Sequence, residues 1–255
     1  MKNSEEQPSK VEVISKLPAP MQKALSDAFN KCITLIGEKE AQREISYAIQ
    51  IISKNKELQK CSVDSVIDAI VNGSRANVTL NPNLKLAYLV PRKGVACLDI
   101  SYMGLITILK KSGGCKYIDA YVVFQDEDFA HNPASGEIRH TPYYARTEAE
   151  QKKRIIVGCY SRAVLPTNDV VFCYMPYWEI EKVKRMSGGS SESFSAWNTW
   201  EEEMVKKSVI KRHFKMLVSD SEAVEVVEAL RIEEENNPLI KTPSKPSLFN
   251  LDFEA

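Results

Sequence analysis

A chain of 255 residues, 44% of them hydrophobic, is long enough to bury a substantial core as one large domain or as one domain with a tail. Its 34 basic and 34 acidic residues cancel, yet from Asp220 onward nine acidic residues face only Arg231, Lys241 and Lys245, which leaves Met1–Ser219 at +6. A basic body with an acidic end suits nucleic-acid binding, whereas no glycine is followed by lysine and no GxGxxG occurs, which excludes nucleotide hydrolysis through a phosphate-cradling loop.

In chain order, residues 1–16 are polar and charged, and disorder is expected there. Pro18 and Pro20 introduce a helix to about Ile36, with Leu25, Ala28, Phe29, Cys32, Ile33 and Ile36 at helical spacing. Gly37 breaks it, and Glu38–Ser53 predicts a second helix with Ile45, Ala48, Ile49 and Ile52 on one face. Ser62 is placed to cap a third, running to the Asn72–Gly73 region. The period then changes to that of strands: Leu86–Val90 and Val95–Ile100 are joined by Pro91-Arg92-Lys93-Gly94 as a hairpin. Ser101 caps a helix stopped by Gly113 and Gly114. Tyr117–Phe124 and Ile155–Leu165 are strands, separated by a polar excursion, Gln125–Lys153, with a hairpin expected around Ser135–Gly136. Val170–Met175 is the last strand, Pro176 opens a helix, and a Gly/Ser segment from Ser187 to Ser195 is expected to be flexible. A long basic helix follows, then an acidic helix over Ser221–Glu235 and a Pro-containing tail. The fold class expected is α+β: a mainly antiparallel meander flanked by helices, with a helical N-terminal part. The expected division is 1–16, a core of 17–218 (helical 17–80, sheet and helices 81–218), and an acidic end of 219–255.

The basic helix, Thr199–Leu217, is the most informative stretch. Thr199 is placed as its N-cap, and Glu201, Glu202 and Glu203 suit the positive N-terminal end. A wheel puts Val205, Val209, Ile210, Phe214, Met216 and Leu217 on one half and Lys207, Lys211, Arg212 and Lys215 on the other. Stacked like charges cost a few tenths of a kcal/mol per pair in an isolated helix, and a polyanion converts that repulsion into binding through counterion release. A solvated charged face with acidic neighbours is the plain alternative. Lys206 falls on the apolar half, so its stem either snorkels past packed side chains or points into a groove where a ligand lies.

The remaining chemistry is sparse. The three histidines and six cysteines show no zinc-ligand spacing, and the cysteines read as reduced core residues of an intracellular protein. No run of about 18 apolar residues marks a membrane span and no signal peptide is visible. Asp126, Glu127 and Asp128 could bind a divalent metal as in nucleases, although such a triplet more often ends a strand in a solvated loop. What recurs is cations beside aromatics: Arg92 and Lys93 at a hairpin tip, Lys110 and Lys111 at a helix C-terminus, Lys182 and Arg185 before the Gly/Ser segment, Trp197 and Trp200 before the basic helix, and Tyr102 after the hairpin. Single-stranded nucleic acid uses this pairing, bases stacking and phosphates neutralised, while core burial is the commoner fate of any one aromatic.

Four blocks in order then resemble the RecT family of phage single-strand annealing proteins: CSVDSVIDAIVNGSRANVTLNPNLKLAYLVPRKG, LDISYMGLITILKKSG, YVVFQDEDF and AWNTWEEEMVKKSVIKRHFKML, spanning about Gln50 to Val218. The family's lysine in the second block is Met103 here, its proline before the tryptophan is Ala196, and the last block ends without proline. The resemblance implies ATP-independent annealing of single-stranded DNA by a homo-oligomer, a ring or helical filament, that holds the annealed duplex and works beside a 5′→3′ exonuclease and the host single-strand-binding protein in the bacterial cytoplasm. It implies no catalytic residues and no cofactor, Mg2+ entering only as a modulator of DNA binding. It places Lys206, Lys207, Lys211 and Arg212 in the DNA groove. The acidic end from Asp220 lies beyond these blocks, and Leu248–Ala255 or the preceding helix is expected to contact a recombination partner. The alternatives are a metal-dependent nuclease using Asp126–Asp128 and a plain strand-protecting binder.

Overall fold

The computed structural model describes residues 17–186, 196–218 and 223–236. The expectations for residues 1–16, for the Gly/Ser segment and for the tail after Asn236 lie outside them. Two compact units form: one from the residues up to Ile100 together with the chain from Glu228 onward, the other from Ser101–Val227.

In the first unit, α1 (Ala19–Ile36) buries Met21, Ala24, Leu25, Ala28 and Cys32, the i, i+3, i+4, i+7 stripe that an amphipathic helix presents to a core. Gly37, at φ +79°, ends it and leads directly into α2 (Glu38–Lys54), whose acidic first turn and basic last turn match the helix dipole. Glu44 on α2 accepts from Thr79 Oγ1 at 2.6 Å and from the Leu80 N–H at 2.8 Å, which pins the loop before the strands. α3 (Val63–Arg75) is capped in position by Ser62, but the Ser62 side chain makes no cap bond, and the helix runs a turn past the expected end. The hairpin is tighter than expected: β1 (Ala87–Arg92) pairs with β2 (Val95–Ile100) through a two-residue turn in which Lys93 and Gly94 both take positive φ. Such a turn matches the twist of the flanking strands. The hairpin is tied to α3 where Ser62 N–H donates to Gly94 O and Ala96 N–H to Ser65 Oγ.

In the second unit, α4 (Tyr102–Lys111) starts at Ser101, whose Oγ accepts from the Gly104 N–H at 3.0 Å. It closes at Gly113, φ +76°. A three-stranded antiparallel sheet follows in the order β3 (Tyr117–Phe124), β6 (Ile156–Val164), β7 (Val170–Pro176). The polar excursion holds a separate hairpin, β4 (Asp128–His131) with β5 (Ile138–Thr141), and a short helix α5 (Glu148–Gln151). The α+β expectation holds, with the described strands distributed over three small sheets because α4 and the excursion interrupt the meander. One face of the main sheet, with Val122, Phe124, Cys159, Cys173 and Met175, packs on α6 (Tyr177–Met186), α7 (Ala196–Thr199) and α8 (Glu201–Val218). The other carries Tyr121, Tyr160 and Tyr174 in cross-strand register, roofed by Phe129 of the β4–β5 hairpin at 5.2 Å from Tyr174.

The basic helix starts at Glu201, two residues later than expected. Thr199 belongs instead to the short α7, and Trp200 forms the bend between the two helices. Val205, Val209, Ile210 and Phe214 are buried as the wheel requires, each contributing about 1.5–3 kcal/mol. Met216, placed on the apolar half, is 55% exposed, and His213 is buried in its stead. His213 Nδ1 lies 2.9 Å from Ser161 Oγ on β6, and burial lowers its pKa to about 4. The acidic helix forms as α9 (Val224–Asn236). In the first unit its Arg231 donates to Asn72 Oδ1 at 2.9 Å. Five of the six cysteines are buried free thiols and Cys97 is half-buried; burial pushes the Cys173 thiol up to about 11, consistent with packing residues rather than nucleophiles.

Candidate nucleic-acid interface

Within the second unit, α4, the start of β3 and α8 border a groove of about 430 Å³. Tyr102, Met103, Ile106 and Lys110 come from α4, and Glu203, Lys206 and Ile210 from α8. Tyr102 and Lys110 lie two turns apart on α4 because the Ser101 cap sets its first turn and Gly113 closes the last. Lys206, the cation that the wheel set among apolar residues, stands in this groove with its side chain 32% exposed and its Nζ 3.0 Å from Glu203 Oε1. Tyr102 OH donates to the other Glu203 oxygen at 3.4 Å. Burial first, and the Glu203 charge second, raise the Tyr102 pKa, so the phenol stays a neutral donor. The groove therefore presents two lysines, two carboxylates (Glu203 and Asp119), tyrosines and apolar floor residues; a phosphate that takes Lys206 from Glu203 and a base beside a ring suit such a surface.

The other expected contacts distribute differently. Lys111 is exposed at the end of α4. Lys207 and Lys211 are half-buried along α8, and Arg212 is exposed and ion-paired with Glu179 of α6. Lys215, expected as a DNA contact, instead has its ammonium nitrogen buried away from solvent, where a phosphate cannot reach it. Lys182 covers the exposed Trp178 ring at 4.5 Å, and Arg185 is exposed in the last turn of α6. Trp200 is 66% exposed and stands at a second cavity of about 680 Å³ together with Gln151, Lys152 and Glu202. Arg92 and Lys93 belong to the other unit. Arg92 is not a loose tip residue: it ends β1, donates to the Asn236 carbonyl and side chain at 3.2 Å, and pairs with Asp99.

Trp197 requires a correction. Expected as a stacking residue, it is 3% exposed and packs with Val122, Phe124 and Val205, so its ring cannot meet a base without unpacking the core. The commoner fate of a tryptophan, burial, prevailed.

The acidic triplet does not converge on a metal position. Asp126 pairs with Arg154 Nη2 at 2.9 Å. Glu127, nearly fully buried, accepts from the N–H groups of Phe124 (2.8 Å) and Tyr143 (2.9 Å) and meets Arg154 (2.8 Å) and His140 (3.0 Å). Burial works to raise the Glu127 pKa, but these four partners hold the carboxyl below its usual range. Asp128 is exposed on β4. No group of three His, Cys, Asp or Glu residues able to hold a metal occurs among the described residues. Arg154, just past the excursion, is only 5% exposed at its side chain and lies 3.9 Å over the Phe124 ring, so it is an internal strut. Among the described residues no helix is long and apolar enough to cross a membrane.

Residues that sequence reasoning missed are Glu203 as the partner of Lys206, Tyr117 on the groove wall, and His213. For Tyr117 a signal existed: Tyr117, Asp119 and Tyr121 alternate with Ile118 and Val122, the period-2 pattern of a strand with one face outward.

The RecT family model matches residues 42–241, beyond both ends of the resemblance read from the blocks, so the acidic helix falls inside the family pattern. The chain is 28% identical to protein RecT of Escherichia coli (strain K12) over 225 residues, covering 84% of this chain and 79% of that protein. It is 25% identical over 174 residues to the uncharacterized protein YqaK of Bacillus subtilis (strain 168), covering 68% of this chain and 58% of that one. With the family match spanning most of its length and both of its structural units, the chain belongs to the RecT family of DNA recombination and annealing proteins.

Proposed function

We propose that the protein pairs complementary DNA strands without ATP, working as an oligomer on single-stranded DNA and retaining the annealed duplex. One observation carries this. Two blocks of the family pattern that lie about a hundred residues apart, one with Tyr102 and Lys110 and one with Lys206, meet as opposite walls of a single groove.

The physical sequence is short. Two strands repel through their phosphates, and each folds on itself. Lys206 and Lys110, with Lys207 and Lys211 further along α8, neutralise one backbone and release its counterions. An extended strand then meets its complement, and the duplex stays because pairing and stacking contribute about 1.4 kcal/mol per step. The protein reads backbone and shape, and base pairing reads sequence. A row of subunits extends the track. A 5′→3′ exonuclease that exposes the strand and the host single-strand-binding protein that coats it are the expected partners, and Mg2+ acts only by competing for phosphates.

The test mixes labelled complementary oligonucleotides with protein, without ATP and with or without Mg2+. Pairing faster than in buffer supports the reading, a rate equal to buffer refutes it, and cleavage or coating without pairing replaces it with a nuclease or a protecting protein. Binding is expected to fall steeply with salt, and Lys206→Ala, Lys207→Ala and Lys211→Ala each to lower the salt slope by about one, equally for all sequences.

A further inference from the structure

We infer that Tyr117 is a base-stacking platform of the groove, so that this site takes unpaired DNA with a base against the ring and the phosphates toward Lys110 and Lys206. The inference rests on the annealing reading and adds the groove's means of distinguishing a single strand from a duplex.

Tyr117 is the first residue of β3, an edge strand of its sheet among the described residues, and it stands 48% exposed on the groove wall. A large exposed aromatic ordinarily samples several rotamers, and ordering it against a ligand costs entropy. Here one side of the ring is already backed. The Arg162 guanidinium lies 5.9 Å from its centroid, within cation–π range, and Arg162 is itself held by Asp119 at 2.9 Å. Asp119 is in turn engaged by Tyr121 OH at 2.8 Å, so the support is anchored in the sheet. The ring thus stands pre-oriented at the β3 edge of a groove that otherwise offers Lys110 and Lys206, the carboxylates of Asp119 and Glu203, a thioether (Met103, 47% exposed) and a tyrosine hydroxyl.

Every base has a π-face, so stacking of this kind serves any sequence. It also requires an unpaired base: a duplex keeps its bases in its own stack and offers Tyr117 nothing. Lysines alone favour the duplex, whose charge density is higher. An aromatic wall in the same groove shifts the preference toward the single strand, and once pairing withdraws the base the groove holds the product by charge alone.

The experiment measures anisotropy of labelled oligothymidine, of an abasic strand of equal length and of a duplex with wild type, Tyr117→Ala, Tyr117→Phe and Lys206→Ala. Tyr117→Ala is expected to weaken oligothymidine binding between about fivefold and a hundredfold, with an unchanged salt slope and no change on the abasic strand or the duplex. Tyr117→Phe, which keeps the ring, recovers affinity to within about twofold, and Lys206→Ala weakens all three ligands and lowers the slope. If Tyr117→Ala binds oligothymidine as wild type does, or loses equally on the abasic strand, the inference is overturned while the annealing reading stands. If wild type binds none of the strands, that reading falls and takes the inference with it. Unaltered circular dichroism of Tyr117→Ala separates a lost contact from lost folding.

Discussion

His213 makes the helix that carries the lysines sensitive to acid. Its ring is 1% exposed between α8 and β6, and its pKa falls from 6.5 to about 4 because burial disfavours the charged form. In the unfolded chain the same imidazole takes up a proton near its ordinary value, so below that value the unfolded state binds more protons than the native one. Stability is therefore unaffected above about pH 6.5 and is lost progressively as the pH falls toward about 4. At 1.36 kcal/mol per pKa unit, this one site removes about 2 kcal/mol by pH 5 and about 3 kcal/mol by pH 4. Urea unfolding followed by far-UV circular dichroism, at intervals from pH 7.5 to 4.5, measures it for wild type and for His213→Gln. The variant, neutral in both states, is expected to start less stable and to lose less as the pH drops, the two curves converging by about 2 kcal/mol at pH 5. Carboxylates titrate in both proteins and cancel in the difference. Parallel curves between pH 7 and 5 would falsify the assignment of a buried neutral imidazole.

Other outcomes follow from named contacts. A Cβ on Gly158 would lie 2.6 Å from Tyr174 Oη and 2.9 Å from the Met175 carbonyl. The backbone oxygen cannot rotate away, so Gly158→Ala is expected to cost about 1–3 kcal/mol, read as a lowered Tm; an unchanged Tm contradicts the close strand approach. Trp197→Ala removes a core ring and is expected to cost about 3–5 kcal/mol, with the salt slope of DNA binding unaltered in the folded fraction. Loss of binding without loss of stability would return Trp197 to the interface. Arg154→Ala leaves the buried Glu127 charge without its guanidinium and is expected to cost about 3–5 kcal/mol, whereas Lys152→Ala breaks only the exposed pair with Glu148 and should stay within about 0.5 kcal/mol. Denaturant midpoints at constant slope compare the two, and equal losses would show that burial is not what distinguishes them.

The elements whose boundaries were legible are those with local causes. The Ser101 cap, the Gly37 and Gly113 stops and the Lys93-Gly94 turn each follow from a residue acting on its own backbone. Where the prediction slipped, a distant partner had decided. Thr199 was expected to cap the basic helix, but packing of Trp197 into the sheet draws Ala196–Thr199 into a separate turn. Met216 satisfies the wheel and lies outside, while His213, polar by type, lies inside because Ser161 on β6 meets its ring nitrogen. Arg154, a cation by type, faces inward on two carboxylates 27 and 28 residues away in sequence.

By itself the sequence determined the class of molecule: helical and strand periods in an α+β order, cations beside aromatics, no phosphate loop, and four ordered blocks of one family. Those features depend on neighbours within a few residues or on composition, and composition survives without folding. Which cations share a surface with which rings was decided only in three dimensions, since Lys110, Tyr117 and Lys206 meet through sheet edge and helix packing between segments far apart in the chain. The spacing along a strand or helix says which way a side chain faces; it does not say what stands opposite.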